Sequence, residues 1–78
     1  MTSDQILDVT GLACPMPIIR TKKKMNDLTE GQVLEIHATD KGAKADLAAW
    51  AKSSGHELIT QTEEGHVLKF WVRKGSWS

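Results

Sequence analysis

Gln32-Val33-Leu34-Glu35-Ile36-His37-Ala38-Thr39 alternates along its whole length. Leu34, Ile36 and Ala38 fall on one side, and Val33, Glu35, His37 and Thr39 on the other, the period of a half-buried strand. Asp40-Lys41-Gly42 interrupts it. From about Ala43 to Ser54 the period becomes helical, with Ala43, Leu47, Trp50 and Ala51 on one stripe. Gly55 stands where a left-handed residue closes a helix. A strand feeding directly into an amphipathic helix sets the class as α/β.

The pattern extends in both directions. Upstream, Ile6 to Val9 reads as a short strand closed by Gly11, and Pro15 to about Leu28 as a helix. Ile18, Thr21, Met25 and Leu28 share its apolar stripe. Lys22 sits at the edge of that stripe, while Arg20, Lys23 and Lys24 point away. Thr29-Glu30-Gly31 is a turn. Downstream, Glu57 to Thr62 and His66 to Arg73 read as strands around a Glu63-Glu64-Gly65 hairpin. The order βαβαββ, with helices in the first two connections, gives a two-layer α/β sandwich. Its mixed four-stranded sheet carries both helices on one face. Val33, His37, Ile59, Val67 and Trp71 are then candidates for the open face, either as a docking patch or as the ordinary apolar residues of a small sheet.

Seventy-eight residues with 40% apolar content make one small domain. Residues 1–75 are assigned to it. Ser76-Trp77-Ser78 resembles a linker running into an affinity tag. A single cysteine excludes an internal disulfide. With no export signal read at the N-terminus, a free thiol points to the reducing cytoplasm. No apolar run approaches a membrane span. Zero net charge argues against a general nucleic-acid binder. Yet Arg20, Lys22, Lys23 and Lys24 place four of the ten positive charges within five residues. Such a patch is either a solvated helix face or a site for an anion or a partner.

Gly11-Leu12-Ala13-Cys14-Pro15-Met16-Pro17 joins the first strand to the first helix. Cys14 is expected at the N-cap, Pro15 at N1 and Pro17 at N3, where missing N–H groups cost no helical bond. A helix N-terminus favours an anion and lowers a thiol pKa. The N–H groups of Met16 and Ile18 are expected to form an anion cradle. The alternative is an inert buried cysteine. A loop flanked by prolines favours the reactive one. One thiol without a resolving partner excludes dithiol redox chemistry. His37, His56 and His66 are read as surface residues, too scattered for a metal site and not placed near Cys14. No cofactor is expected. A lone activated thiol is suited to carrying a group, such as sulfur held as a persulfide.

Lys22 lies eight residues beyond Cys14, about 12 Å along a helix. Its ammonium can lean toward an anion at Cys14 or lie along the surface. Asp40 stands either in a neighbouring loop at the same sheet edge or at the N-cap of the second helix, the N-cap being favoured.

These residues resemble the TusA/SirA-like sulfur-carrier family. The likeness rests on Leu7-Asp8, Gly11-Leu12 and Cys14-Pro15-Met16-Pro17, which matches a CPxP motif. It continues through Gly31, Leu34-Glu35, Ala38-Thr39-Asp40, Trp50, Gly55-His56-Glu57-Leu58 and Arg73-Lys74-Gly75. The resemblance implies a sulfurtransferase holding a persulfide on Cys14, supported by Gly11, Pro15 and Pro17. It implies protein donors and acceptors: a cysteine desulfurase, a relay protein toward tRNA wobble-uridine thiolation, or, in a YeeD-like branch, a thiosulfate transporter. Thiosulfate is a possible small-molecule substrate, and the basic run Arg20–Lys24 suits it or an acidic partner. A non-enzymatic docking module is the competing reading. A monomer is expected in isolation.

Overall fold

The computed structural model describes residues 3–13 and 16–75. Its elements are β1 (Gln5–Val9), α1 (Met16–Met25), β2 (Val33–Ala38), α2 (Ala43–Ser54), β3 (Glu57–Glu64) and β4 (Val67–Arg73). The sheet order is β1-β2-β4-β3. β1 runs parallel to β2, and β4 is antiparallel to both β2 and β3. This is the mixed four-stranded βαβαββ sandwich that the periodicity implies.

The core follows the alternation. Leu34, Ile36 and Ala38 of β2 pair with Val72, Phe70 and Leu68 of β4 on the face under the helices. Val9, Met25, Leu47 and Trp50 close over them from β1, α1 and α2. Each fully buried Val, Leu, Ile, Phe or Met among them stabilises by roughly 1.5–3 kcal/mol. Thr21 is also fully buried, and its hydroxyl donates to the Pro17 carbonyl at 2.7 Å, so it enters the core with its polar group satisfied.

Helix α1 is shorter than its apolar period suggests. It ends at Met25, and the N–H groups of Asn26, Asp27 and Leu28 each bond only three residues back. That tighter winding brings Leu28 into the core. The stop is imposed from afar: Lys74 Nζ donates to the carbonyls of Met25 (3.0 Å) and Leu28 (2.7 Å). α2 has the expected limits, closed by Gly55 at φ 78°. β3 runs two residues longer than expected and β4 starts one residue later, at Val67, so the hairpin turn is Gly65-His66, with Gly65 at φ 63°. Glu63 and Glu64 belong to β3.

The open face is more polar than expected. Val33, His37, Val67 and Trp71 share it with Glu35, Lys69 and Arg73. Ion pairs Lys69–Glu64 and Arg73–Glu57 cross it. Ile59 falls at a register irregularity between Leu58 and Thr60. Among the described residues, no helix is long and apolar enough to cross a membrane.

Candidate active site

The parallel pair β1–β2 places two loops side by side at its carboxyl edge. The first leaves β1 at Val9 and leads toward Cys14. It is pinned at its root by Asp8, whose Oδ1 accepts from the Thr10 N–H (3.0 Å) and the Thr10 hydroxyl (2.6 Å). Those bonds, the hydroxyl first, hold the Asp8 carboxyl below the usual carboxylate range. The Leu12 N–H returns to the Val9 carbonyl at 3.2 Å. Gly11 adopts φ 81°, a left-handed conformation that a side chain would strain. Its N–H donates to Thr39 Oγ1 at 2.8 Å, which joins the first loop to the second.

Cys14 and Pro15 lie outside the described residues, and so do the expected N-cap and N1 placements. The residues that flank them are fixed. The Met16 N–H donates to the Ala13 carbonyl at 2.9 Å. This corrects the expected cradle, because the Met16 donor is already used by the turn that starts α1. Pro17 is the second residue of α1, and its ring is fully buried. It anchors the start of α1.

Asp40 does stand in the loop beside Gly11, one residue after Thr39. It is not the N-cap of α2. Gly42 holds that position, with no side-chain cap, at φ −69° and ψ −19°. The chain already curls at Asp40, whose carbonyl accepts from the Ala43 N–H at 3.0 Å and whose Oδ1 accepts from Gly42 at 3.3 Å. Beside this loop, Thr39, Lys41, Lys44, Glu63, Gly65, His66 and Leu68 line a groove of ≈ 390 Å³.

The basic run divides. Arg20, Lys23 and Lys24 turn toward β1 and line a groove with Leu7 and Asp27. Lys22 turns toward α2 and lines a different groove with Met25, Asn26, Trp50, Ser54 and His56. Lys24, not Lys22, is the half-buried member of the run. This reverses the expected order, because α1 rests on the sheet through Pro17, Thr21 and Met25, and Lys24 lies closer to that line on the helix. Lys22 is drawn toward the carboxyl ends of both helices rather than toward the loop edge.

Two histidines are not surface residues. His56 is 8% exposed, and its ring lies 5.0 Å from Trp50. Its Nδ1 accepts from the Gly75 N–H at 3.0 Å. Burial, with the Lys74 charge second, pushes its pKa down. His37 is half-buried and bonds Glu35 through Nε2 at 2.5 Å; with Ser3, it holds the Glu35 carboxyl below its ordinary range. No cluster of three or more His, Cys, Asp and Glu able to hold a metal is present among the described residues. Thr39 is the site residue that the sequence reading passed over. Its signal lay in the parallel register, which sets Val9 opposite Ala38 and so brings Thr39 beside the Thr10–Gly11 turn.

Comparison with known proteins agrees with this architecture. A family model described as "Sulfurtransferase TusA" matches residues 5–74. The chain is 68% identical over 75 residues to the putative sulfur carrier protein YrkI of Bacillus subtilis, covering 96% of this chain and 100% of that one. It is 60% identical to the putative sulfur carrier protein YrkF of the same organism, of whose length it spans 40%. It is 48% identical over 71 residues to the sulfur carrier protein TusA of Allochromatium vinosum, covering 91% and 93% of the two chains. The crystal structure of a SirA-like protein from Desulfitobacterium hafniense superposes with a TM-score of 0.80 at 24% identity, covering 92% of this chain and 99% of that one, and shares the fold.

Proposed function

Because the chain belongs to the TusA sulfurtransferase family, we propose that it carries sulfane sulfur as a persulfide on Cys14 and delivers it to a partner protein. The observation that carries this reading is the position of the chain's one cysteine. In sequence it follows a loop held by Asp8, Gly11 and Thr39 and stands two residues before α1, whose first-turn proline is fully buried. The described residues on either side of Cys14 are firmly held, and the positive end of the α1 dipole begins two residues on, at Met16.

Two donors suit that thiolate. With a protein persulfide, Cys14 attacks the terminal sulfur; the new S–S bond forms as the donor's S–S bond breaks, and the donor leaves as a thiolate. With thiosulfate, Cys14 attacks the outer sulfur, the S–S bond of thiosulfate breaks, and sulfite leaves with the electron pair. Either route leaves one sulfur on Cys14 and needs no external oxidant. Delivery is the same exchange in reverse, onto an acceptor thiolate. The cations Lys41 and Lys44 beside the Thr39 loop, and Arg20 and Lys23 on the β1 side of α1, would steer anionic donors or acidic partners. The thiosulfate route favours a YeeD-like, transporter-linked setting, and the protein route a relay from a cysteine desulfurase toward tRNA thiolation.

The test is intact-mass analysis after incubation with thiosulfate, and separately with a cysteine desulfurase plus cysteine. A one-sulfur adduct in either sample, absent from Cys14→Ser, is the expected result. The donor that loads the protein identifies the route. An adduct persisting in Cys14→Ser, or no adduct with either donor, overturns the reading in favour of a docking module.

A further inference from the structure

β1 and β3 are the outer strands of the sheet. A free strand edge invites pairing with another chain, and proteins blunt such edges with bulges, charges or cover. β3 is blunted twice: its register slips between Leu58 and Thr60, and Glu57, Glu63 and Glu64 stand exposed along it. β1 keeps an unbroken register with β2 from Gln5 to Val9. Just before it, the Asp4 N–H donates to the Val33 carbonyl at 2.8 Å, toward β2. Backbone groups alternate in direction along a strand, so those of Ile6 and Asp8 also face β2. Those of Gln5 and Leu7 face outward, where no further strand lies among the described residues.

The two sides of this edge differ. On the helix side, a groove of ≈ 230 Å³ is lined by Leu7, Arg20, Lys23, Lys24 and Asp27. None of its three cations is in an ion pair among the described residues. Its single carboxylate, Asp27, lies past the end of α1. On the open-face side Ile6 is 60% exposed. Asp8 shares that side, its carboxylate engaged by Thr10.

A strand added to β1 would alternate in its turn. Its side chains on the helix side would meet Arg20, Lys23 and Lys24, and those on the open side would lie beside Ile6. The edge therefore fits a segment of alternating acidic and apolar residues, about 17 Å long at roughly 3.3 Å per residue.

We propose that β1 is the docking edge for an extended acidic segment of a partner protein, which joins the sheet as a further strand with its acidic side chains beneath α1. Backbone pairing supplies the affinity, and the basic groove selects the partner. This surface uses no thiol, so the proposal stands apart from the sulfur-carrier reading.

The test titrates the whole protein with a capped peptide of alternating glutamate and valine, as long as β1, followed by 1H–15N NMR and amide hydrogen exchange. The expected result is saturable shifts centred on Gln5 and Leu7, with a Kd on the order of 1 mM or tighter at low salt. Exchange of those two amides should slow as they gain partners. The same peptide with lysine for glutamate should not bind. Arg20→Glu combined with Lys23→Glu should weaken binding by about tenfold or more. Lys22→Glu, a like change on the α2 side of the helix, should cost less than about twofold. Gln5→Pro removes an outward N–H at the first residue of the strand, where proline is tolerated, and should weaken binding with the urea midpoint unchanged. Binding kept at parent strength in Cys14→Ser separates this edge from the thiol. The proposal is overturned by an absence of saturable binding, by equal binding of the lysine peptide, by equal losses in Lys22→Glu and the double variant, or by exchange slowed at β3 instead of β1. Protection of Gln5 and Leu7 that rises with protein concentration in the absence of peptide also overturns it, since a second copy would then be the occupant.

Discussion

The two ends of the sheet are held by different kinds of bond. At the carboxyl edge of β1 and β2, the loop before Cys14 is tied to its neighbour by the Gly11 N–H on Thr39 Oγ1, in an exposed setting. At the opposite end, Lys74 bonds the Met25 and Leu28 carbonyls through its ammonium, and Gln32 and Gly31 through its backbone. Gly75 then reaches His56. Partly buried, interlocked bonds of this kind open only with the whole domain, whereas an exposed loop opens locally at little cost. Stability is therefore concentrated at the far end and is lower at the edge where the loop leading to Cys14 begins.

Gly75→Ala should break the far end most severely. A Cβ there would stand 1.9 Å from the Gly55 carbonyl oxygen and 2.9 Å from its carbon, backbone atoms that cannot swing aside. Separating the two segments would also unseat the His56 bond. The expected loss is about 3 kcal/mol, the upper range for overpacking, read as a lowered urea midpoint. Sulfur loading per folded molecule should be unchanged. A loss below about 1 kcal/mol would show that the two segments part easily, and the contrast between the ends would fail.

Lys74→Met comes next. It keeps the stem and removes the ammonium from two carbonyls, for an expected loss of about 1.5–3 kcal/mol. Hydrogen exchange should quicken at Asn26, Asp27 and Leu28 before it changes at Gly11. Quickening at Gly11 first would mean that the two ends are one cooperative unit.

Thr39→Val probes the other end. Its global cost should be small, about 1 kcal/mol or less, because the lost bond is exposed. Its effect on loading should be larger, since misplacing a reacting group by 1 Å can cost up to roughly a hundredfold in rate. Thr39→Ser, which keeps Oγ, should load like the parent. A Thr39→Val protein that loads at the parent rate would sharpen the comparison differently, showing that the Cys14 loop needs no support from β2.

The same contrast explains what the sequence could reveal. β2 and α2 were legible because their side chains repeat with the period of the backbone that carries them, and Leu34-Ile36-Ala38 and Leu47-Trp50-Ala51 are buried as that period requires. Cys14 stood out as the one cysteine, between prolines that fit a helix start. The end of α1 was not legible, because Lys74 sets it from 49 and 46 residues away. Nor was the burial of His56, which follows from Gly55 turning the chain back under Trp50 and from Gly75 closing over the ring. The basic run showed its period but not the rotation of α1 on the sheet. That rotation sends Lys22 to one groove and Lys24 to another.

The smallest effect is on pH dependence, and it separates the two ends by order of onset. His56 is held neutral in the fold, its pKa pushed below the ordinary 6.5. The unfolded chain therefore takes the proton first, and stability falls as pH drops through that value toward the folded pKa. Asp8 and Glu35 have carboxyls held below their ordinary 3.8 and 4.5. Their contribution is intact above those values and is lost only as pH falls further. Acid should thus loosen the far end first, with the Gly75 amide resonance moving as pH falls below 6.5 while the Thr10 amide, which reports on Asp8, holds until pH has fallen below 3.8. His56→Gln should remove the first stage and leave the second. If Thr10 moved before Gly75, or the first stage survived in His56→Gln, acid sensitivity would belong to the loop edge, and the end that stabilises the fold would have to be sought elsewhere.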